Sequence, residues 1–256
     1  IPETAEVKTL NITKEAGKWF ACFSFEFEAL KEPEQDLSNA VGIDLGLIDF
    51  FYPSIGSPVK VPKYMRKKEK LLKRQQTKLS HTQKRTEKYY RVLKSLQKIH
   101  YRIKCQRNDF LHKEANKLLA SHNLIVHENL NIRMMIRRPK PIRDKECGEY
   151  LPNGAKRQSG MNKSISDVGW GKFLNILNYK ANEEGKKIVG INPYMTSQTC
   201  SNCYEIVKKS LSTRTHQCPK CGFSAPRDLN AAYNILRLGL ESLGLEFVMP
   251  SITGAA

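Results

Sequence analysis

At 256 residues the chain is long enough for one well-buried core plus a small module. Its formal charge of +18 exceeds what solubility needs and is unevenly placed, since residues 60–120 carry 20 Lys and Arg against 4 Asp and Glu. Such a stripe is the footprint of a polyanion, with nucleic acid the first choice; a membrane surface calls for a broad apolar face, which this segment lacks, and no apolar run approaches the roughly 20 residues of a spanning helix.

Trp19, Ala21, Phe23, Phe25 and Phe27 alternate with Phe20, Cys22, Ser24, Glu26 and Glu28, a period of two that predicts a strand with one wetter face. With residues 7–12 before it and Glu15-Ala16-Gly17-Lys18 between, the stretch reads as a β-hairpin. The hairpin has no core of its own and is expected to belong to a larger β domain. Residues 31–39, polar and containing Pro33, read as a linker. The chain begins at Ile1 rather than Met, shows no signal peptide, and is read as the later part of a longer reading frame.

Val41-Gly42-Ile43-Asp44 opens the main domain as a buried strand, followed by strands at 47–52 and 58–61. Residues 63–80 and 84–120 read as two helices around a polar turn. In the longer one Leu96, Ile103 and Phe110 recur every seven residues, with Tyr89, Leu93, His100 and Leu118 near the same seam. The seam predicts packing, and the charge around it predicts groove contact. Residues 124–127 form a strand carrying Glu128 at its end. Residues 133–163, basic and rich in Pro and Gly without periodicity, read as a mobile loop with lid potential. Residues 167–184 read as one helix ended by Gly185, with Trp170 in the core, and 187–192 as a strand stopped by Pro193. Pro226 suits the first turn of a last helix. The order of elements indicates α/β, with acids at the carboxyl ends of two strands, where open α/β sheets place their sites.

Cys200-Ser-Asn-Cys203 and Cys218-Pro-Lys-Cys221, 14 residues apart, have the ligand spacing of a structural zinc ribbon over about 196–224. Four thiolates fill such a site, so His216 is not needed. Cys22, Cys105 and Cys147 lie in unlike contexts, which favours a reducing compartment over a disulfide framework. Asp44, Glu128 and Asp228 sit at two strand ends and one helix start. Hard carboxylate ligands of this kind suit paired magnesium ions in a phosphodiesterase. Taken singly, each acid has an ordinary structural alternative: a strand-end cap for Asp44 and a helix-dipole partner for Asp228. His127, beside Glu128, is expected on the opposite side of its strand.

Gly42-Ile43-Asp44-Leu45-Gly46, Val126-His127-Glu128-Asn129-Leu130, the two CxxC pairs and Arg227-Asp228-Leu229-Asn230-Ala231-Ala232, in this order, resemble TnpB. TnpB is the RNA-guided nuclease of bacterial and archaeal insertion sequences, a relative of type V CRISPR effectors. The 75–80 turn, Arg107-Asn-Asp-Phe-Leu-His112-Lys113 and Ser166-Asp-Val-Gly-Trp170-Gly-Lys-Phe173 also look like family motifs, and the likeness runs from about Trp19 to Leu236. The resemblance implies an RNase H-like RuvC nuclease core with a long basic helical insertion and an inserted zinc ribbon. Its domains would be a remnant of a β-barrel-like wedge domain at 1–38, the core at 39–195 with a helical hairpin at 63–120, the ribbon at 196–224, and a final helix and tail at 225–256.

On that resemblance Asp44, Glu128 and Asp228 are the catalytic acids, holding two Mg²⁺ ions. Cys200, Cys203, Cys218 and Cys221 hold structural Zn²⁺, and Arg214 contacts the scissile phosphate. Arg66, Lys67, Lys68, Lys73, Arg74, Lys84 and Arg85 are expected to contact nucleic acid. Guide RNA and target DNA are the partners, without a membrane, in a bacterial or archaeal cytoplasm and close to the nucleoid. Relatives usually have an acid two residues before the last Asp, where this chain has Pro226. The recognition lobe and most of the first β domain of the family precede the region seen here. The favoured function is a metal-dependent, RNA-guided DNA endonuclease; the alternatives are a guide-directed repressor that does not cleave, which would have no need of three acids, and a strand-transfer transposase.

Overall fold

The structure, a computed structural model, describes residues 6–26, 37, 39–210 and 212–248. It divides into two compact units, one of residues 1–34 and 63–111, the other of residues 35–62 and 112–256.

In the first unit β1 (Glu6–Glu15) pairs antiparallel with β2 (Lys18–Glu26). Ala16 and Gly17, both at positive φ (51° and 83°), make the two-residue turn whose twist matches a hairpin. The expected single wetter face is not found: Ile12, Trp19 and Phe23, from both strands, are all exposed, Trp19 to 68%. Phe27, Glu28 and nearly all of the expected linker lie outside the described residues. The helices are α1 (Tyr64–Ser80) and α2 (Glu87–Ser121), the latter crossing the boundary between the units. Thr86 caps α2 by accepting from the Tyr89 amide at 3.2 Å. Lys84 and Arg85, expected inside this helix, therefore lie in the turn before it, with Arg85 at φ 65°. Along α2 Val92 and Ile103 are buried and Leu96 is half-buried, but His100 is exposed because Ile99 takes the inward position. Within this unit α2 holds the hairpin through Lys104–Glu15 (2.7 Å) and the Phe20–Tyr101 ring pair (6.3 Å).

In the second unit β3 (Ala40–Leu45), β4 (Asp49–Pro53), β5 (Val59–Lys60), β6 (Leu124–Glu128) and a later strand form one mixed sheet. Residues 133–163, expected to be a mobile loop, fall instead within α3 (Ile132–Met135), β7 (Ile142–Arg143) paired with β8 (Tyr150–Leu151), α4 (Ala155–Val168) and the turns between them. Gly160 and the polar run around it hide the helical period of α4. Its first turns are instead held by Gln158 and Asn162, whose side-chain amides donate to the Met135 and Ile136 carbonyls (2.7 and 2.6 Å).

The single helix expected at 167–184 breaks at Gly169. At φ 76° Gly169 ends α4 and starts α5 (Trp170–Glu183), a left-handed conformation that a side chain would resist. The later strand is β9 (Lys187–Ile191), and the sheet order is β5-β4-β3-β6-β9. Here β3 is antiparallel to β4 and parallel to β6, which is parallel to β9. β10 (Thr215–Gln217) pairs with β11 (Ser224–Pro226), and α6 (Arg227–Ser242) closes the fold. Pro226, expected in the first helical turn, is the residue before α6 and keeps strand dihedrals (φ −52°, ψ 137°).

Every residue of β6 is buried, so this strand is covered on both faces. One cover is α6, whose Ile235, Leu236 and Leu240 pack with Leu124, Val126 and Ile191. Two glycines permit that contact. A Cβ on Gly42 would collide with the Ala232 carbonyl oxygen and stand 2.6 Å from the Leu236 nitrogen, and a Cβ on Gly239 would collide with the Val126 side chain. Helix and sheet therefore touch backbone to backbone at β3. Adding a methyl group there overpacks the core against atoms that cannot rotate away. Gly42→Ala is expected to destabilise the protein by about 3 kcal/mol, read as a lower urea midpoint with unchanged slope.

Candidate functional site

Alternation along the strands decides where the acids point. Gly42 faces α6, so Asp44, two residues on, faces the same side; Val126 faces α6, so Glu128 does too. β3 and β6 are parallel and in register through Ile43 and His127, which leaves Asp44 and Glu128 side by side at the carboxyl ends. α6 supplies the third acid. Asp228 lies one helical turn before Ala232, the residue against Gly42, and four helical residues advance about as far as two strand residues, roughly 6 Å. Asp44, Glu128 and Asp228 accordingly line one cavity of about 510 Å³, together with Arg214 and Arg227.

The charges in this cavity act on one another. Burial, and then the negative charges of Glu128 and Asp228, push the Asp44 carboxyl well above its ordinary range, with Arg227 pulling the other way. Burial also raises Glu128, partly offset by the hydroxyl of Thr196, which donates to Glu128 Oε1 at 2.5 Å. Among the described residues the four cysteines are the only group of three or more His, Cys, Asp or Glu whose ligand atoms all lie within 4.8 Å of one another. A single Mg²⁺ holds its ligands on arms of about 2.1 Å, whereas two ions about 3.5–4 Å apart are shared by a larger set of carboxylates. Three carboxylates crowded at one cavity, Glu128 buried and Asp44 and Asp228 half-buried, fit a site for divalent cations.

Two backbone loops of one design carry the cysteines. The Cys200 amide donates to the Glu205 carbonyl (2.8 Å) and the Tyr204 amide to the Cys200 carbonyl (2.9 Å); Cys218, Phe223 and Gly222 repeat this pattern at 2.8 and 3.0 Å. The residue after each second cysteine is left-handed: Gly222 (φ 74°) and, against the usual preference, Tyr204 (φ 64°), whose ring lies 4.6 Å from the Arg237 guanidinium. The sulfurs of Cys200 and Cys221 are 3.7 Å apart and those of Cys203 and Cys218 3.5 Å. A tetrahedron with 2.3 Å arms has edges of about 3.8 Å, so the four thiols fit zinc. His216 stays outside the set. Its Nδ1 meets Lys209, and its ring is pushed down to about 4 by burial and then by the Lys209 charge, leaving it neutral.

This module is fastened to the helix that bears Asp228. Asn230 and Asn234, one turn apart on α6 and fully buried, hold the first cysteine loop. Asn230 donates to the Thr199 carbonyl (2.8 Å) and accepts from the Ser201 amide (3.0 Å). Asn234 donates to the carbonyls of Thr196 (2.9 Å) and Thr199 (2.7 Å). Arg227 donates to the Ser210 carbonyl (3.1 Å) and to Ser197 Oγ (3.3 Å).

Arg214, expected at the phosphate, is exposed and lines the acidic cavity. Trp170 is buried as expected but also lines it. His127 is buried, its Nδ1 donating to the Glu128 carbonyl at 2.8 Å. Sequence reasoning missed Arg227, Asp49 and Thr196 at this cavity. Adjacency to Asp228 could have flagged Arg227 and the turn after Asp44 could have flagged Asp49; nothing in the sequence marks Thr196. Arg66, Lys67, Lys68, Lys73, Arg74, Lys84 and Arg85 lie in the first unit, exposed apart from the half-buried Lys68. Lys73 and Arg74 share a shallow basic concavity with Lys70 and Lys78, and Arg66 pairs with Glu69 at 3.2 Å. No helix among the described residues is long and apolar enough to cross a membrane.

Residues 22–138, containing Asp44 and Glu128, match the family model described as "Probable transposase". Residues 170–235, containing the four cysteines and Asp228, match "Cas12f1-like, TNB domain". The "Putative RNA-guided DNA endonuclease InsQ" of Escherichia coli K12 is 30% identical over 239 residues, covering 92% of this chain and 58% of that protein. "TnpB-like protein L79" of Acanthamoeba polyphaga mimivirus is 27% identical over 79% of this chain and 38% of its own length. The chain belongs to the TnpB-type proteins. It spans about half the length of the first two curated relatives it matches, 58% and 55%. A CRISPR-Cas12f ternary complex solved by cryo-electron microscopy superposes with TM-score 0.52 at 17% identity, over 89% of this chain and 44% of that one, so the α/β fold is shared.

Two measurements follow from this TnpB-type site. Metal analysis of the purified chain is expected to give about one zinc, and Cys218→Ser is expected to lose it and lower the thermal midpoint. The raised carboxyls favour the fold while protonated, and that contribution is lost as pH rises through their folded values. A negative charge on Asp44 in the folded chain is therefore a cost. In magnesium-free buffer Asp44→Asn is expected to melt a few degrees above the parent at pH 7.5, with the gap closing toward pH 4.

Proposed function

We propose that this chain carries the nuclease core of an RNA-guided DNA endonuclease, with an RNase H-like RuvC arrangement around Asp44, Glu128 and Asp228. The observation that carries the proposal is the convergence of these three acids from β3, β6 and α6 on one cavity with two arginines. The mixed sheet order, with an antiparallel arm β5-β4 and a parallel arm β3-β6-β9, supports the RuvC reading. The names of the relatives support the guided cleavage of DNA.

Asp44, Glu128 and Asp228 would hold two Mg²⁺ ions. Bound there, such a pair activates water and stabilises both the pentavalent phosphate and the leaving 3′-oxygen. The chain's own residues set the geometry. β3 and β6 fix two carboxylates on a rigid sheet, and α6 brings the third at its amino end. Arg214, exposed at the cavity, meets the phosphodiester, while Arg227 is spent largely on holding the cysteine module beside Asp228. Zn²⁺ in the four-thiolate site has no open position for water, so it serves structure. The basic α1 and the turn to α2 would hold guide RNA and target DNA by neutralising phosphates, contacts that weaken steeply with salt.

Each acid fixes a metal position rather than adding an independent increment, so losing one should cost nearly as much as losing all three. Asp44→Ala in the complete protein, assayed with its guide RNA and target DNA, is expected to abolish cleavage while leaving binding of both nearly intact. Undiminished cleavage by Asp228→Ala would remove that residue from the site and the RuvC reading with it.

A further inference from the structure

Glu128 has two carboxylate oxygens, and one of them accepts a hydrogen bond from a buried hydroxyl. Thr196 Oγ1 stands 2.5 Å from Glu128 Oε1 and 3.2 Å from the Pro193 carbonyl oxygen. A hydroxyl carries a single proton, and the shorter contact falls in the range of a charge-assisted bond to carboxylate.

Thr196 is itself held from three sides. It is buried, its carbonyl accepts from Asn234 of α6 at 2.9 Å, and Met195 before it sits in the left-handed region at φ 62°. A non-glycine residue there costs free energy and persists when the surroundings impose it. The surroundings here are the Gln198 and Thr199 amides, which both donate to the Met195 carbonyl at 2.9 Å. Asn234 also has its orientation decided. Its amide faces two carbonyls, so nitrogen rather than oxygen must point that way, and Oδ1 is left without a partner among the described residues. The last helix thus grips the backbone of the residue whose side chain grips Glu128.

We infer that Thr196 is a positioning residue for the acidic site: its hydroxyl donates to Oε1 of Glu128 and fixes the orientation of the carboxylate, leaving Oε2 as the freer oxygen for a divalent cation. This deepens the proposed function and rests on that reading. It gives the asparagine contacts a second consequence. Through Asn234 and Thr196, the docking of α6 that delivers Asp228 also sets the orientation of Glu128, so that two of the three acids are aligned by one packing event. Partners that orient a ligand in this way are worth roughly 10–100-fold in metal affinity when removed.

The test is Mn²⁺ binding to the zinc-loaded chain, followed by calorimetry or electron paramagnetic resonance, which needs no cleavage. Thr196→Val keeps the shape and removes the hydroxyl; its Mn²⁺ affinity is expected to fall about tenfold. Thr196→Ser keeps the hydroxyl and is expected to stay near the parent. Glu128→Gln separates the two readings. If it binds Mn²⁺ like the parent, the metal reading of the acidic site fails. If it loses binding while Thr196→Val does not, the role of Thr196 alone is overturned. An equal tenfold loss in Thr196→Ser and Thr196→Val also overturns it, since the hydroxyl would then be immaterial. With guide RNA and target DNA, Thr196→Val is expected to raise the Mg²⁺ concentration for half-maximal cleavage while leaving KM for the target unchanged.

Discussion

The contact between α6 and the sheet is closer than two side-chain layers allow. At β3 the helix backbone lies directly over Gly42, and at β6 Gly239 lies on Val126. Interiors pack as densely as crystals, so such a contact has one register and no slack. Everything at the acidic cavity is measured from it. It fixes how far along the sheet the amino end of α6 reaches, and therefore where Asp228 stands relative to Asp44 and Glu128. The opposite side of the same helix, through Asn230 and Asn234, carries the cysteine module. One helix is thus a shared reference for an acidic cavity and a four-cysteine cluster of quite different chemistry.

The two sites also differ in what they ask of the fold. The thiolate site is local: two short loops of matching hydrogen bonds bring four sulfurs together, and a bound ion reinforces the loops that hold it. The acidic site is non-local and strained by charge, because three carboxylates from distant segments crowd a partly buried space. It therefore depends on packing elsewhere. The Ile235, Leu236 and Leu240 contacts with Leu124, Val126 and Ile191 hold like charges together that would otherwise drift apart.

Legibility in the sequence followed these differences. The cysteine pairs could be read from spacing because the module is local. The strands at 40–45 and 124–128 could be read because a mostly or fully buried strand is a nearly continuous apolar run, and the hairpin turn at Ala16-Gly17 carries its own signal. The three acids stood out only when taken together in their order. The failures were positional. α4 was hidden by Gly160 and by polar residues that bind carbonyls outside the helix, and the break at Gly169 passed for a continuing helix because one glycine is tolerated in many helices. Thr196 was invisible for a deeper reason. Its importance comes from a contact 68 residues away, and no local pattern encodes a partner at that distance.

The order in which the acids appear along the chain has a temporal side. Asp44 and Glu128 can be brought together as soon as β3 and β6 pair, but Asp228 is translated one hundred residues after Glu128 and comes into place only when α6 settles on the sheet. Segments near the amino terminus emerge from the ribosome first and begin to fold first. A growing chain therefore presents an incomplete acid cluster until α6 has emerged, and the cluster closes in the same step that buries this helix. Partly made or carboxy-terminally truncated copies would carry the basic surface without the assembled acids.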